Sequence, residues 1–312
     1  MKPTTSIAAL VALTLVIAAC ATSGSAGTIP PVEPTPEPSV VQGSPDLTPE
    51  PSITPTPSSG PPGSPAASPS PAPEGTAVVR AYFYFESIPG TSGLVPILRE
   101  VPATKAVATA AMAALIDGPT ETESGAMSTA LPAGTTLLGL SIADGVATVD
   151  LSSEFETGGG SMSALTRLGQ VVYTLTQFPT VESVVFQVEG RPVTVFGSEG
   201  VVLDGPVDRA AYLDLLPAIF VDRPAYGAAL GNPGRVTGSA QGVFEATFRI
   251  TLLDGTGRIV ADEMAMAACM CESGAFDVTI HYDVGKAQWG TLRVWAGSAK
   301  DGSAILVREY PV

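Results

Sequence analysis

Three cysteines, one histidine and a few clustered carboxylates are the residues of this 312-residue chain whose types and spacing could do chemistry. Cys20 ends the run Ile17-Ala18-Ala19-Cys20. Cys269 and Cys271 close the segment Met264-Ala265-Met266-Ala267-Ala268-Cys269-Met270-Cys271. Thiols and thioethers together are soft ligands suited to Cu(I), while a Cys269–Cys271 disulfide is the plainer use of the pair. A bridge across one intervening residue closes a tiny loop and gains little chain entropy. Asp150, Glu154 and Glu156 contain the raw material of a glycosidase carboxylate pair, although they read more simply as a solvated strand end and loop. The single histidine, His281, shares the polar side of a strand pattern with Asp277 and Asp283. No Gly-x-Ser-x-Gly elbow, His-Glu-x-x-His helix or P-loop occurs in the chain. Gly255-Thr256-Gly257 lies between strand patterns and reads as a turn. The sequence therefore predicts no enzyme, with no catalytic residue, cofactor or metal. A carboxylate-dependent wall-glycan hydrolase and a copper or redox lipoprotein using Cys269 and Cys271 are the alternatives.

The elements that must position these residues begin with an export signal. Lys2 precedes an apolar run from Ile7 to Ala19 that is too short to remain as a membrane span. With Cys20 the run resembles the lipobox of bacterial lipoproteins. That resemblance implies cleavage after residue 19, diacylation of Cys20 and an extracytoplasmic protein held to the cell membrane by lipid. Residues 20–76 then change composition: Ala21 to Gly75 holds 16 of the 29 prolines and no lysine or arginine. Proline at that density forbids helix and central strand, and the stretch has too few large apolar groups to fold. It is expected to be a disordered linker that holds the rest away from the membrane.

Order is expected from residue 77. Val79, Ala81, Phe83 and Phe85 alternate with Arg80, Tyr82 and Tyr84, the period of a strand. A second apolar run, Leu94 to Val101, precedes a helical stripe of Val107, Ala108, Ala111, Met112 and Leu115, with Thr104 as its N-cap and Asp117-Gly118-Pro119 as its stop. Asp144-Gly145 marks a hairpin, Leu165 to Leu175 a second helix, and Val184 to Val195 a last hairpin turning at Gly190. The predicted order over 77–200 is β-β-α-β-β-α-β-β, an α+β domain. A connector, 201–217, contains a short helix closed by Pro217. In 218–312, Phe244 to Leu252, Phe276 to Tyr282, Leu292 to Val294 and a final strand to Tyr310 alternate between turn signals, the pattern of an all-β sandwich. Trp295 shares a strand face with Arg293, opposite Leu292 and Val294; if that face is outward it is available to a partner, and packing at a domain interface is the alternative.

Several motifs carry a resemblance. Leu115-Ile116-Asp117-Gly118-Pro119, Ala130-Leu131-Pro132-Ala133-Gly134-Thr135, Val149-Asp150-Leu151-Ser152 and Tyr173-Thr174-Leu175-Thr176-Gln177-Phe178 make residues 77–200 similar to the GerMN domain of sporulation and germination proteins. Val236-Thr237-Gly238-Ser239-Ala240 with Phe244-Glu245-Ala246, and Ser298-Ala299-Lys300-Asp301-Gly302-Ser303, make 218–312 similar to the immunoglobulin-like domain found with spore-germination proteins. The resemblance implies an extracytoplasmic domain without known catalysis; with the tether, the acidic balance and the lack of a catalytic constellation, the expectation is a non-catalytic binding or scaffolding lipoprotein of the cell envelope. A formal charge of −15 repels nucleic acid and other polyanions. The expected partners are the membrane, through the N-terminal lipid, and an envelope protein or a neutral wall glycan.

Overall fold

The computed structural model describes residues 75–86, 91–269 and 271–312. The expected signal peptide, Cys20 and nearly all of the proline-rich linker lie outside the described residues.

The first domain starts with β1 (Thr76–Phe85) and β2 (Gly93–Pro102), paired antiparallel from Thr76–Pro102 to Phe85–Gly93. Next come α1 (Val107–Ile116), β3 (Met127–Ser128), β4 (Leu137–Ala143), β5 (Val146–Leu151), α2 (Ser161–Leu175), β6 (Ser183–Val188) and β7 (Arg191–Pro192). Two small strands, β8 (Val195–Phe196) and β9 (Val201–Val202), close the domain. The strands form one sheet ordered β2-β1-β3, a second ordered β4-β5-β6-β7 and the β8-β9 pair. The β4–β5 hairpin turns where Asp144-Gly145 predicted, both residues having positive φ. The last hairpin turns at Gly190 as predicted and returns through Val193, whose N–H donates to the Phe186 carbonyl at 3.0 Å, but its end is corrected: Val195 has left that sheet and Val195–Phe196 pairs with Val201–Val202. The predicted cap is corrected too. Ala106 precedes α1 without a side-chain cap, and the Thr104 hydroxyl accepts from the Ala106 N–H at 3.1 Å, one step short of the helix.

Helix α2 explains the polar residues in the motifs. β1 pairs with β2 along its full length but with β3 only at Tyr84 and Phe85. The outward backbone groups of Arg80 and Tyr82 would otherwise be orphaned, a costly condition in a core. Side chains of α2 and the residues just past it replace the missing strand. Thr174 Oγ1 accepts from the Tyr82 N–H at 3.3 Å, and Gln170 Nε2 donates to the Tyr82 carbonyl at 2.8 Å. Gln177 accepts from the Arg80 N–H at 2.8 Å and donates to its carbonyl at 2.7 Å.

The second domain is a sandwich of two antiparallel sheets. Its strands are β10 (Ile219–Arg223), β11 (Gly234–Ala240), β12 (Thr247–Leu253), β13 (Ile259–Met266), β14 (Gly274–Ile280), β15 (Thr291–Gly297) and β16 (Ala304–Pro311). One sheet is ordered β10-β11-β14 and the other β13-β12-β15-β16. Inward residues of both sheets fill the space between them, with the Phe248 and Phe276 rings edge-to-face at 4.8 Å. Phe244, expected inside the strand, instead lies exposed on a one-turn 3₁₀ helix before β12. Between the domains, residues Arg209–Leu215 form a 3₁₀ helix.

Candidate functional site

Asp150 lies on β5 and its carboxylate accepts from the Gly190 N–H at 2.9 Å, a turn-closing role. Glu154 sits at the surface on a short 3₁₀ helix, and the Ser152 hydroxyl beside it holds its carboxyl below the usual range. A glycosidase acid needs the opposite shift. Glu156 is on the same turn. His281 follows β14 directly and is exposed, while Asp277 is tied up by Arg235 at 2.5 Å.

Cys269 and Cys271 lie beyond the end of β13, both exposed, with Cα atoms 5.2 Å apart and sulfurs within bonding distance. Gly274 makes this turn possible, since a Cβ there would lie 2.6 Å from the Cys269 carbonyl oxygen. Met264 and Met266 point outward from β13, an edge strand. Trp295 is half-buried on the outer face of the four-stranded sheet. Its indole N–H donates to Thr251 Oγ1 at 3.1 Å and the Arg249 guanidinium lies over its ring, so it is engaged within its own sheet.

What the structure brings together is the junction of the two domains. The Tyr82 hydroxyl donates to Asp222 Oδ1 at 2.6 Å, and Arg80 Nη1 stands 3.8 Å from the other oxygen. Arg209 lies 4.8 Å from the Tyr173 ring centroid, donates to Thr176 Oγ1 at 2.8 Å and to the Tyr173 carbonyl at 3.2 Å. Burial, then the Asp222 charge, pushes the Tyr82 phenol well above its ordinary range. Farther along, the Tyr226 N–H donates to the Pro96 carbonyl at 3.0 Å, and the next amide, Gly227, donates to Pro311 at 2.9 Å. Arg308, from the last strand, donates to the Thr91 carbonyl and lies 4.5 Å from the Phe85 ring centroid. One hydrophobic core runs through both domains.

Hollows open on the surface of this body among the described residues. One, of about 540 Å³, lies at an end of the sandwich between Leu230, Leu253, Val260, Tyr282 and Trp289. Trp289 is 71% exposed on the loop before β15, with Gln288 beside it. Sequence reasoning missed this residue because its loop has no periodicity; the tryptophan beside Gly290 was the available signal. The second hollow, of about 660 Å³, lies between the domains and is lined by Val78, Arg80, Leu98, Phe178, Arg223 and Arg235 among others.

With this geometry in view, comparison with known proteins gives two family matches that do not overlap. Residues 81–194 match the family described as Germane, sporulation and spore germination. Residues 218–303 match Gmad2, the immunoglobulin-like domain of bacterial spore germination. The chain therefore carries a GerMN-like domain followed by a germination-associated immunoglobulin-like domain. Among solved structures, the first GerMN domain of the sporulation protein GerM from Bacillus subtilis is similar at 21% identity and TM-score 0.37, covering 43% of this chain and 99% of that one. The tandem GerMN domains of the same protein are similar at 16% identity and TM-score 0.37, over 67% of this chain and 62% of that one, less than two thirds of its length. No curated protein matches the chain.

Proposed function

We propose that this protein is a non-catalytic binding and scaffolding lipoprotein of the cell envelope, tethered through Cys20 and stapled by a Cys269–Cys271 disulfide. The hollow at Trp289 is the observation that carries the binding role. An exposed tryptophan over an apolar depression, with a polar neighbour, is a surface built for contact with an amphipathic partner. A chain of formal charge −15 favours a neutral wall glycan or an envelope protein there over a polyanion. The two germination-associated domains support this reading.

Co-sedimentation with purified peptidoglycan sacculi at low and moderate salt tests it. Salt-resistant pelleting of the wild type is expected, and Trp289→Ala should abolish it. Because the side chain is so exposed, that substitution should change stability by less than about 0.5 kcal/mol. Pelleting that survives the substitution would remove the hollow from the account. No pelleting at all would replace the glycan by a protein partner, to be sought by crosslinking in intact cells. The anchor has its own test. Cys20→Ala should lose metabolic fatty-acid labelling and leave the membrane fraction, and retention of both would overturn the lipid tether.

A further inference from the structure

Arginine is scarce on this acidic chain, yet three arginines gather around the hollow between the domains. Their situations differ. Arg235 is spent on Asp277, through contacts of 2.5 and 2.9 Å. Arg80 is fixed by its backbone bonds to Gln177, and its side chain is 13% exposed. Among the described residues its one ion pair is with Asp222, at 3.8 Å, and its Nε has no hydrogen-bond partner. That Asp222 has already given its closer oxygen to the Tyr82 hydroxyl. Arg223, next to Asp222, is exposed and forms no ion pair or side-chain hydrogen bond among the described residues.

The walls between these charges are apolar. Val78 and Leu98 are 58% and 40% exposed, unusual for large aliphatic residues on paired strands. Val78 and Arg80 are two apart on β1, and Leu98 is the cross-strand partner of Arg80, so all three share a face. Glu100, opposite Val78 on that face, is not part of the lining. Phe178 and Leu230 continue the apolar wall.

We infer that the interdomain groove binds a peptide carboxylate, with Arg223 and Arg80 as its cationic seat and Val78 and Leu98 as the floor for the peptide's apolar side chains. The planar guanidinium fork matches a carboxylate, and the apolar floor supplies contact that a bare ion could not use. Phosphate is the weaker candidate. Its second charge would meet Asp222, Asp277 and the negative field of the whole chain. The inference rests on the binding-module reading and adds a second, chemically distinct site to it. Because one wall is contributed by each domain, the site exists only while the domains are docked.

Calorimetric titration of the full chain tests this with acetyl-Ala-Ala-Ala carrying a free C-terminal carboxylate, the same peptide as its amide, acetyl-Ala-Glu-Ala amide, and inorganic phosphate. The free-acid peptide should bind, and its amide at least about tenfold more weakly. The Glu peptide reports whether a side-chain carboxylate serves as well as a terminal one; binding by either supports the site. Arg223→Gln should weaken binding about tenfold, while Trp289→Ala leaves it unchanged. Arg80→Gln, checked for folding by circular dichroism, should act in the same direction. The inference falls if neither carboxylate peptide binds, if amide and acid bind alike, if Arg223→Gln has no effect, or if phosphate competes as well as the peptide. Sacculus pelleting retained by Arg223→Gln alongside such a result would leave the broader binding role intact.

Discussion

Above about pH 10 the folded body is expected to lose stability steeply and unfold cooperatively, well before its backbone is attacked by base. The cause is the set of phenols enclosed at the junction. Burial raises Tyr82, Tyr173 and Tyr212 well above the ordinary tyrosine range, and the Asp222 charge adds to the rise at Tyr82. In the unfolded chain these groups ionise near the ordinary value of about 10. A phenol with a raised folded pKa keeps its proton in the native state after the unfolded state has lost one. Stability is therefore fully present below about pH 10 and falls as pH rises beyond it, by about 1.4 kcal/mol per pH unit for each such group. Three acting together remove about 4 kcal/mol per unit, against a usual total of about 5–15 kcal/mol. Urea unfolding at stepped pH, with phenolate absorbance read in parallel, checks this. Phenols that titrate near pH 10 while the fold persists would show that the junction is open to water.

The second large effect is expected from Gly93→Ala. Gly93 opens β2 with φ +151, and a Cβ there would lie 2.6 Å from the Leu215 carbonyl oxygen, 2.8 Å from Pro217 N and 2.9 Å from the Leu216 carbonyl carbon. All three are backbone atoms of the connector, so no rotamer change relieves the clash. The substitution should cost about 3 kcal/mol or more and loosen the connector from β2. Gly125→Ala is the control, because a Cβ at that position meets nothing within 4 Å. Denaturant midpoints of the two variants and the wild type decide the matter; equal midpoints would mean that the connector does not rest on Gly93.

Local pattern reveals the elements in this chain better than their assembly. The 3.6-residue stripes and Asp117-Gly118-Pro119 locate α1, and α2 follows from Leu165 to Leu175, although its first turn extends back to Ser161. The same reasoning misplaces Tyr82. Strict alternation assigns it to the polar side of β1, yet Ala81, Tyr82 and Phe83 are all fully buried. β1 is covered on both faces, and its second cover includes residues such as Asp222, 140 positions away. Period-two reasoning assumes one wet face and cannot register that distant cover. β10 and β13 are short or carry exposed residues at apolar positions, such as Ile259, Met264 and Met266, so neither stands out in the sequence. For the candidate sites the difficulty is similar. Arg80 and Arg223 become neighbours of one groove only through docking, and Trp289 lies in a loop whose shape the sequence does not encode locally.

The contact between Arg308 and the Thr91 carbonyl spans 217 positions of the chain. A polypeptide delivered end-first, from a ribosome or through a membrane, presents β1 and β2 long before β16 exists to cover them. Phe85, at the end of β1, must therefore wait, partly unsheltered, until β16 arrives. Truncation within β16 would injure the beginning of the fold as much as its end, and a chaperone acting on the emerging chain would find exposed aromatic surface at Phe85.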